Sequence, residues 1–555
     1  MMVFTYFRFK TERFMLVFSI LFMLMLSMCL NLSSALKISS EQIVEGDFDY
    51  QFIVDEDGFT KVKITYVSDA KSGSSWVFVP KFSKWINYTV DGKVYEWSLE
   101  DPEKYVGEQY YFYKVLSFGF LSNGSQFEMV VEFNFSTAAI IIEPDGMFYS
   151  PQIGFAKGSN FRASVIFPSS FRINLDEAVA IGASGMYRPK YLNSSFVSFD
   201  GLPPTENLLR IQIGFKVPNK NPDVISIESG VFRFKTVRRY EAYAHEILDL
   251  YNTTYKTLVD LFNTTFEDGA GEKITVRFFI PDFNSLLSIG GYVPFSGQKM
   301  GDIHINFMFT RYVKGYLEVI ALHELVHHFL WRAGISPQSL LWFHEGMAQY
   351  VSIEVVGRLN YTGVEMIRRD LENRVQDLEA EFNGDLGFLA YWSPNVRPRS
   401  MSVLYTAAYY VVSKLASNYG GIDYYARVFR LVKGEKIESN AMLCYYLSLA
   451  AGESVAAKFR QWGFNVPDLY TFSPFLAEVE RAVGNVNPAF QPFKYLAEVI
   501  YKFAMQGGKL DAKYALLFLA IAFLIASFAP ILTLMTYSGL LFILLILLLK
   551  KKHVL

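Results

Sequence analysis

Two histidines and a glutamate have the residue types and the spacing that metal-assisted hydrolysis requires. His323 and His327 are four positions apart, and Glu324 directly follows the first of them. On a helix, residues at i and i+4 lie one above the other, so both imidazoles point the same way. The surrounding residues are mostly apolar, and unpaired polar groups would be costly to bury among them. A bound Zn²⁺ would satisfy both imidazoles, whereas the alternative is a pair of satisfied core histidines.

A catalytic zinc also needs a third protein ligand, and the next segment of the chain offers one. Glu345 follows His327 with 17 residues between them, and Ser336-Pro337 can turn the chain into a second helix. His344 is a rival ligand by residue type, but adjacent residues on a helix point about 100° apart. We therefore expect the zinc ligands to be His323, His327 and Glu345.

Glu324 is expected to act as a base and not as a ligand. In an H-E-x-x-H helix the glutamate beside the first histidine accepts the proton of the metal-activated water. It then delivers that proton to the leaving amine. The expected reaction is hydrolysis of a peptide bond, which makes the chain a zinc-dependent metallopeptidase and hence a hydrolase.

These two segments resemble the gluzincin zinc metallopeptidases, particularly their aminopeptidase-N-like branch. In that family the H-E-x-x-H helix is followed by a W-x-x-E-G-x-A segment, and residues 342–348 of this chain match it. The spacing is one residue shorter than is usual in the family, which the loop at Ala333-Gly334 could absorb. The resemblance also implies a tyrosine that stabilises the oxyanion. Tyr405 matches it in form, with Ala408 where the family has glycine, and core packing is its alternative role.

The sequence departs from that family at the segment that would bind a free amino terminus. Aminopeptidases of the group carry a G-x-M-E-N motif, but residues 283–317 contain a single acidic residue, Asp302, and no glutamate. Gly290-Gly291-Tyr292 and the strand pattern after Asp302 still resemble an edge strand that could pair with an extended peptide. We expect an endopeptidase or a non-standard exopeptidase. The alternative is a non-catalytic cell-surface binding or adhesion protein that retains a peptidase-like domain.

The elements that must position these residues predict an α+β chain. Short alternating apolar segments before residue 220 predict a β-sandwich, with hairpin turns at Asp55–Gly58, Asp91-Gly92 and Asn123-Gly124. Helical patterns dominate after the polar linker at 219–223. The predicted order is a β-sandwich domain at 36–220, a thermolysin-like mixed α/β and helical catalytic domain at 225–470, and a helical juxtamembrane region at 471–512.

Both ends of the chain carry membrane signals. Residues 1–35 have a basic start, an apolar stretch and a small-residue exit, and are expected to be a signal peptide or a signal anchor. Residues 514–549 lack any charge and are followed by three lysines, which predicts a transmembrane anchor. One span at about 531–549 would keep the lysines in the cytoplasm, and a two-span hairpin is the alternative. The catalytic domain is therefore expected outside the cytoplasm, on the cell membrane.

The net charge of the chain indicates which kinds of partner it can bind. The net charge of −2 argues against a nucleic-acid-binding protein, so the expected partners are a peptide or protein substrate and membrane lipid.

Export is also supported by eight N-x-S/T sequons, which favour a glycoprotein. They begin at Asn31, Asn87, Asn123, Asn134, Asn193, Asn252, Asn263 and Asn360. The sequence leaves open the substrate, the oligomeric state and which sequons are modified.

Overall fold

The computed structural model describes residues 43–552, apart from 109, 111, 125, 267–272, 281–289, 297–298, 307, 309 and 506–511. The predicted signal segment at 1–35 lies outside the described residues. The chain divides into two compact units. Among the described residues, the first comprises 43–55, 59–135 and 149–213, and the second comprises 56–58, 136–148 and 214–552. The structure therefore confirms a β-sheet-rich N-terminal part and a helical C-terminal part.

The β-rich part of the chain is made of short strands. They are β1 (Asp47–Val54), β2 (Thr60–Ser68), β3 (Ser72–Pro80), β4 (Trp85–Asp91), β5 (Lys93–Glu100), β6 (Tyr113–Leu121), β7 (Phe127–Phe135), β8 (Ala139–Ile142), β9 (Asp145–Tyr149), β10 (Ile153–Gly154), β11 (Asn160–Ile166), β12 (Arg172–Gly182), β13 (Gly185–Tyr187), β14 (Tyr191–Leu192), β15 (Phe196–Asp200) and β16 (Leu208–Lys216), with one short helix, α1 (Glu103–Val106).

Within the first unit, one sheet has seven strands in the order β14-β15-β11-β1-β2-β7-β4, and a second has the order β3-β6-β5. Alternate residues of β1 are buried, namely Phe48, Tyr50, Phe52 and Val54, as expected for strands with one face on a core. The predicted hairpins at Asp91-Gly92 and Asn123-Gly124 are wrong. In both places the chain passes from one sheet to the other, because β4 and β7 belong to the first and β5 and β6 to the second.

The second unit is built on a five-stranded sheet. Its strands are β17 (Val224–Ser229), β18 (Phe232–Val237), β19 (Ile274–Phe278), β20 (Gly291–Tyr292) and β23 (Ile303–Ile305), in the order β17-β18-β19-β23-β20. The pairs β18–β19 and β19–β23 are parallel, whereas β20 pairs antiparallel with β23 at the sheet edge. The short strands β21 (Phe295–Ser296) and β22 (Lys299–Met300) form a separate hairpin.

Helices make up most of the rest of the second unit. They are α2 (Glu241–Phe262), α3 (Tyr316–Arg332), α4 (Leu341–Gly357), α5 (Thr362–Phe382), α6 (Met401–Tyr419), α7 (Ile422–Val432), α8 (Asn440–Ala451), α9 (Ala456–Gln461), α10 (Ser473–Gly484), α11 (Phe493–Met505) and α12 (Ala512–Lys552). Among the described residues, one helical stretch, Tyr514–Leu549, is long and apolar enough to cross a membrane. It runs without a break through Pro530 and through residues 536–539, so it is one continuous helix and not the two-span hairpin of the alternative prediction.

Candidate metal centre

The histidine-bearing helix α3 is fixed at its start and along its buried side. The Gly315 amide donates to the Glu318 carboxylate at 2.7 Å, which satisfies an amide that the helix itself leaves unpaired. Most of the remaining circumference is apolar and buried. The Tyr251 hydroxyl of α2 donates to the Ala321 carbonyl at 2.8 Å. The helix therefore has little freedom to rotate, and the direction of its polar side chains is set by packing.

The three predicted ligands converge. One ligand atom from each of His323, His327 and Glu345 lies within 4.8 Å of the others. The Nε2 atoms of His323 and His327 are 3.2 Å and 3.5 Å from Oε2 of Glu345. Each of the three side chains is 11–12% exposed, so the cluster is nearly closed but still reachable from solvent. Two imidazoles and one carboxylate with an open fourth position are the donor set of a catalytic zinc site.

Glu345 reaches this cluster from the second turn of α4. The start of that helix is held by the buried Trp342, whose indole donates to Asn440 Oδ1 at 2.8 Å. Burial alone would raise the pKa of the Glu345 carboxyl, but the charge on His327 and hydrogen bonds from both imidazoles lower that pKa well below its usual value. A permanently ionised carboxylate is the form in which glutamate binds a metal.

His344 is not one of the three clustered residues, but it contacts one of them, His327, through the ring nitrogen of His327 that does not face Glu345. Its Nδ1 is 3.4 Å from Nδ1 of His327, and its Nε2 is 3.0 Å from the Ile335 carbonyl oxygen. A carbonyl can only accept, so Nε2 of His344 carries the proton and its Nδ1 is left as an acceptor. Burial lowers the pKa of His344 to about 3, which keeps the ring neutral.

This contact suits the tautomer that a metal-bound His327 needs. When a metal takes the lone pair of Nε2, the proton of His327 sits on Nδ1, which then donates to His344; without the metal, Nε2 faces the Glu345 carboxylate as a donor. The sequence presented His344 only as a rival ligand. Its position one residue before the third ligand was the available signal, because a 100° rotation moves a side chain to the flank of the metal position and not out of reach.

Glu324 lies beside the cluster without joining it. Its side chain is buried, and burial together with the negative charge of Glu345 raises its pKa to about 8, against the opposing charge of His327. The edge strand β20 covers it closely. A Cβ atom added to Gly291 would lie 2.8 Å from both Cγ and Oε1 of Glu324. The carboxylate is therefore confined between α3 and the backbone of an edge strand.

Tyr405 also reaches the cluster, from the second turn of α6. Its ring packs edge-on against Trp392 with 5.4 Å between ring centroids. Burial raises the pKa of its hydroxyl well above the usual value, and the charges of Glu345 and Glu324 and a hydrogen bond to Glu345 act in the same direction. The hydroxyl is consequently a proton-bearing donor next to both carboxylates.

Asp302, the single acidic residue in the segment that would bind an amino terminus, is engaged elsewhere. Its carboxylate accepts from Nε of Arg277 at 2.7 Å. The two residues are about one-third to two-fifths exposed, so the ion pair neutralises Asp302 in part. The preceding residues 283–289 lie outside the described residues.

Comparisons with known proteins gave structural neighbours alone. No family model matches the chain, and no curated protein matches it. Solved structures of an M1 zinc metallopeptidase from Deinococcus radiodurans cover 76% of this chain. A mutant form is 12% identical over 94% of its own length with a TM-score of 0.26. A mutant bound to a Tyr-Ser-Ala substrate is 13% identical over 93% with a TM-score of 0.26. A further structure, whose description names no mutation, is 12% identical over 93% with a TM-score of 0.24.

Proposed function

We propose that this protein is a zinc-dependent metallopeptidase of the gluzincin type. The observation that carries the proposal is the convergence of His323, His327 and Glu345 to within 4.8 Å, with Glu324 buried beside them as a non-ligand. This is the constellation that H-E-x-x-H hydrolases need, with three ligands, an open position and a base next to it. Residues 225–470 would form the thermolysin-like catalytic domain, preceded by a β-sandwich at 36–220.

Each side chain has a role that its surroundings support. Zinc held by these ligands would lower the pKa of a bound water to about 7 and polarise a carbonyl. Glu324 accepts the proton of the attacking water and returns it to the leaving amine. The Tyr405 hydroxyl, which retains its proton, donates to the oxyanion that develops on the former carbonyl oxygen. Removing such a donor typically costs about 10²–10³-fold in kcat.

The edge strand β20 is the proposed docking position for the substrate backbone. An extended peptide can add to a free sheet edge by main-chain hydrogen bonds. Gly291 on this edge lies against Glu324, so a peptide paired there would pass the base and the metal. Because Asp302 is paired with Arg277, recognition of a free amino terminus is weakly supported. The proposed activity is endopeptidase or non-standard exopeptidase action.

The close approach of Gly291 leads to a specific prediction. Gly291→Ala is expected to lower kcat for peptide hydrolysis by about 10- to 100-fold, because a Cβ at 2.8 Å must displace the Glu324 carboxylate, and misplacements near 1 Å cost about that much. Zinc content should not change. Gly484→Ala is the matched control, since an added Cβ there has nothing within 4 Å. Equal activity of both variants would contradict the proposed confinement of Glu324.

The experiment that tests the function uses the full chain purified in detergent, with zinc measured alongside hydrolysis. One zinc per chain and turnover of N-blocked peptides, both lost on chelation and restored by Zn²⁺, would support an endopeptidase. Turnover of free-amine peptides alone would support an exopeptidase. Zinc without any turnover would favour the binding or adhesion protein instead. A protein that binds no zinc would overturn the site.

We also propose that α12 anchors the protein in the cell membrane as a single span. Six charged residues on α10 and α11, the helices packed against the first half of α12, would each cost about 2.5–3.5 kcal/mol at the bilayer centre. They are Glu478, Glu480, Arg481, Lys494, Glu498 and Lys502. The span is therefore residues 531–549, close to a core of about 30 Å at 1.5 Å per residue. The lysines at 550–552 then favour a catalytic unit outside the cytoplasm.

Cysteine labelling of the full chain in vesicles tests this placement. In a Cys29→Ser background, Leu524→Cys should react with a water-soluble maleimide and Leu541→Cys should not, although both positions are more than half exposed to solvent or lipid. The native Cys444 is buried and serves as the internal blank. Protection of both cysteines would place the first half of α12 in the bilayer and contradict the single span at 531–549.

A further inference from the structure

The helix that would span the membrane is built into the catalytic unit over its first half. One stripe of α12 faces α10 and α11 and is buried, and four of its five members are alanines, which allow the helices to approach closely. These residues are Ala515, Leu519, Ala522, Ala526 and Ala529, and the last four share one apolar core with residues of α10 and α11. Rings interlock on both sides, with Phe475–Phe523 and Phe503–Phe518 centroids at 6.1 Å and 5.4 Å. We call α10, α11 and α12 up to Ala529 the stalk.

The stalk ends abruptly at Pro530. Most of the large apolar side chains from Ile531 to Leu549 are more than half exposed, so beyond that point the part of the chain that the structure describes covers little of the helix. The Thr533 hydroxyl donates to the Ala529 carbonyl at 2.7 Å, and the helix passes through the proline without a break. There is thus no loop between the part packed on the catalytic unit and the part proposed to lie in lipid.

The other end of the stalk is attached directly behind the metal centre. The Ser439 hydroxyl at the start of α8 donates to the Met505 carbonyl at the end of α11 at 2.5 Å. The next residue, Asn440, accepts from Trp342, which lies one turn before Glu345 on α4. Ser439, which caps α8, and Asn440, its first residue, therefore connect the ligand-bearing helix to the stalk end that is remote from Pro530.

These contacts set the distance between the metal centre and the membrane. The rise from Ala512 to Pro530 is about 27 Å at 1.5 Å per residue, and a typical helix tilt of about 20° shortens it little. We propose that the stalk holds the metal centre at a fixed height, on the order of 30 Å above the bilayer, and that the substrates are proteins tethered in the same membrane and cleaved in an extended segment at that height. This inference rests on the proposed zinc peptidase function and its single membrane span.

Two physical effects support this substrate class. Confinement of enzyme and substrate to one membrane raises their effective concentration without any new contact. A stalk whose helix continues through Pro530 into the membrane-spanning part without a break restricts the reach of the site, so a cleavable segment held too low or too high does not meet it. A soluble peptide gains from neither effect.

The test uses the full chain in phosphatidylcholine vesicles with single-span reporters. Each reporter carries the same cleavable peptide above a proline-rich spacer of 4, 10 or 20 residues, which stands about 12, 31 or 62 Å high at 3.1 Å per residue. Turnover should be greatest with the 10-residue spacer, by about tenfold or more over the other two and over the free peptide at equal bulk concentration. Insertion of a 12-residue Gly/Ser linker between Pro530 and Ile531 should abolish this preference.

The measurements distinguish a failure of the fixed height from a failure of the proposed peptidase function. Hydrolysis of the free peptide and bound zinc, measured on the same vesicles, report the peptidase itself and should be equal with and without the linker. Equal turnover of all three reporters by the unmodified chain, with the free peptide still cleaved, would overturn the fixed height. Equal preference before and after insertion of the linker would overturn the role of the stalk. Absence of both hydrolysis and zinc would be a failure of the proposed function.

Discussion

Glu324→Gln is expected to lower kcat for peptide hydrolysis by about 10²–10⁴-fold while one zinc per chain is retained. The amide has the size of the carboxylate, so it can occupy the space between α3 and Gly291. It cannot accept the proton of the attacking water. Because the three atoms that converge on the metal position belong to His323, His327 and Glu345, loss of the fourth side chain leaves the donor set intact.

Glu318→Gln provides the matched control, since it makes the same chemical change on the same helix. That carboxylate accepts from the Gly315 amide and pairs with Lys314 at 2.7 Å, so its loss should lower the melting temperature and leave kcat unchanged. Hydrolysis and bound zinc are measured on both variants. Full activity of Glu324→Gln would remove the general base from the mechanism, and loss of its zinc would mean that Glu324 supports the metal.

The grouping of His323, Glu324 and His327 could be predicted from sequence because it depends on one helix period alone. Glu345 needed a second helix, and the turn at Ser336-Pro337 made that helix visible in the sequence. The relation between His327 and His344 could not be predicted in the same way. It depends on how two helices pack side by side and on the Ile335 carbonyl, a backbone atom that no pattern of side chains reports.

The strands of the first unit were similarly visible by alternation, but their pairing was not. Asp55–Gly58 joins two strands that pair, whereas Asp91-Gly92 and Asn123-Gly124 have the same residue types and lead from one sheet to another. A turn signal reports that the chain reverses locally. Which strand it meets next is decided by where apolar faces can be buried, and this is a property of distant residues.

For the C-terminal helix, too, the sequence pattern predicts the element but not its packing partners. Hydropathy treats residues 514–549 as one apolar stretch, because alanine and leucine both score as apolar. The structure separates them, since the alanine-rich stripe that ends at Ala529 packs on α10 and α11, whereas most large side chains of the leucine-rich remainder are exposed among the described residues. The periodic placement of alanines was a usable signal, but it identifies a packed face only once a partner helix is known.

The contact between His344 and His327 carries the second large prediction. His344→Ala is expected to weaken zinc binding by about 10- to 100-fold, as is usual when the partner of a metal-bound histidine is lost. Without an acceptor at 3.4 Å, His327 can take either tautomer and rotate, and its Nε2 lone pair is no longer held toward the metal position. The dissociation constant is measured by competition with a chromogenic chelator.

His344→Asn separates this role from simple packing. The Asn Oδ1 atom can occupy nearly the position of Nδ1 and accept from His327, although the bond to the Ile335 carbonyl is lost. Most of the zinc affinity should therefore return with Asn, while the melting temperature of the metal-free protein stays lowered in both variants because both leave a smaller side chain in a buried site. Equal zinc affinity in Ala and Asn variants would mean that His344 acts by filling space and that the tautomer of His327 is set by the metal itself.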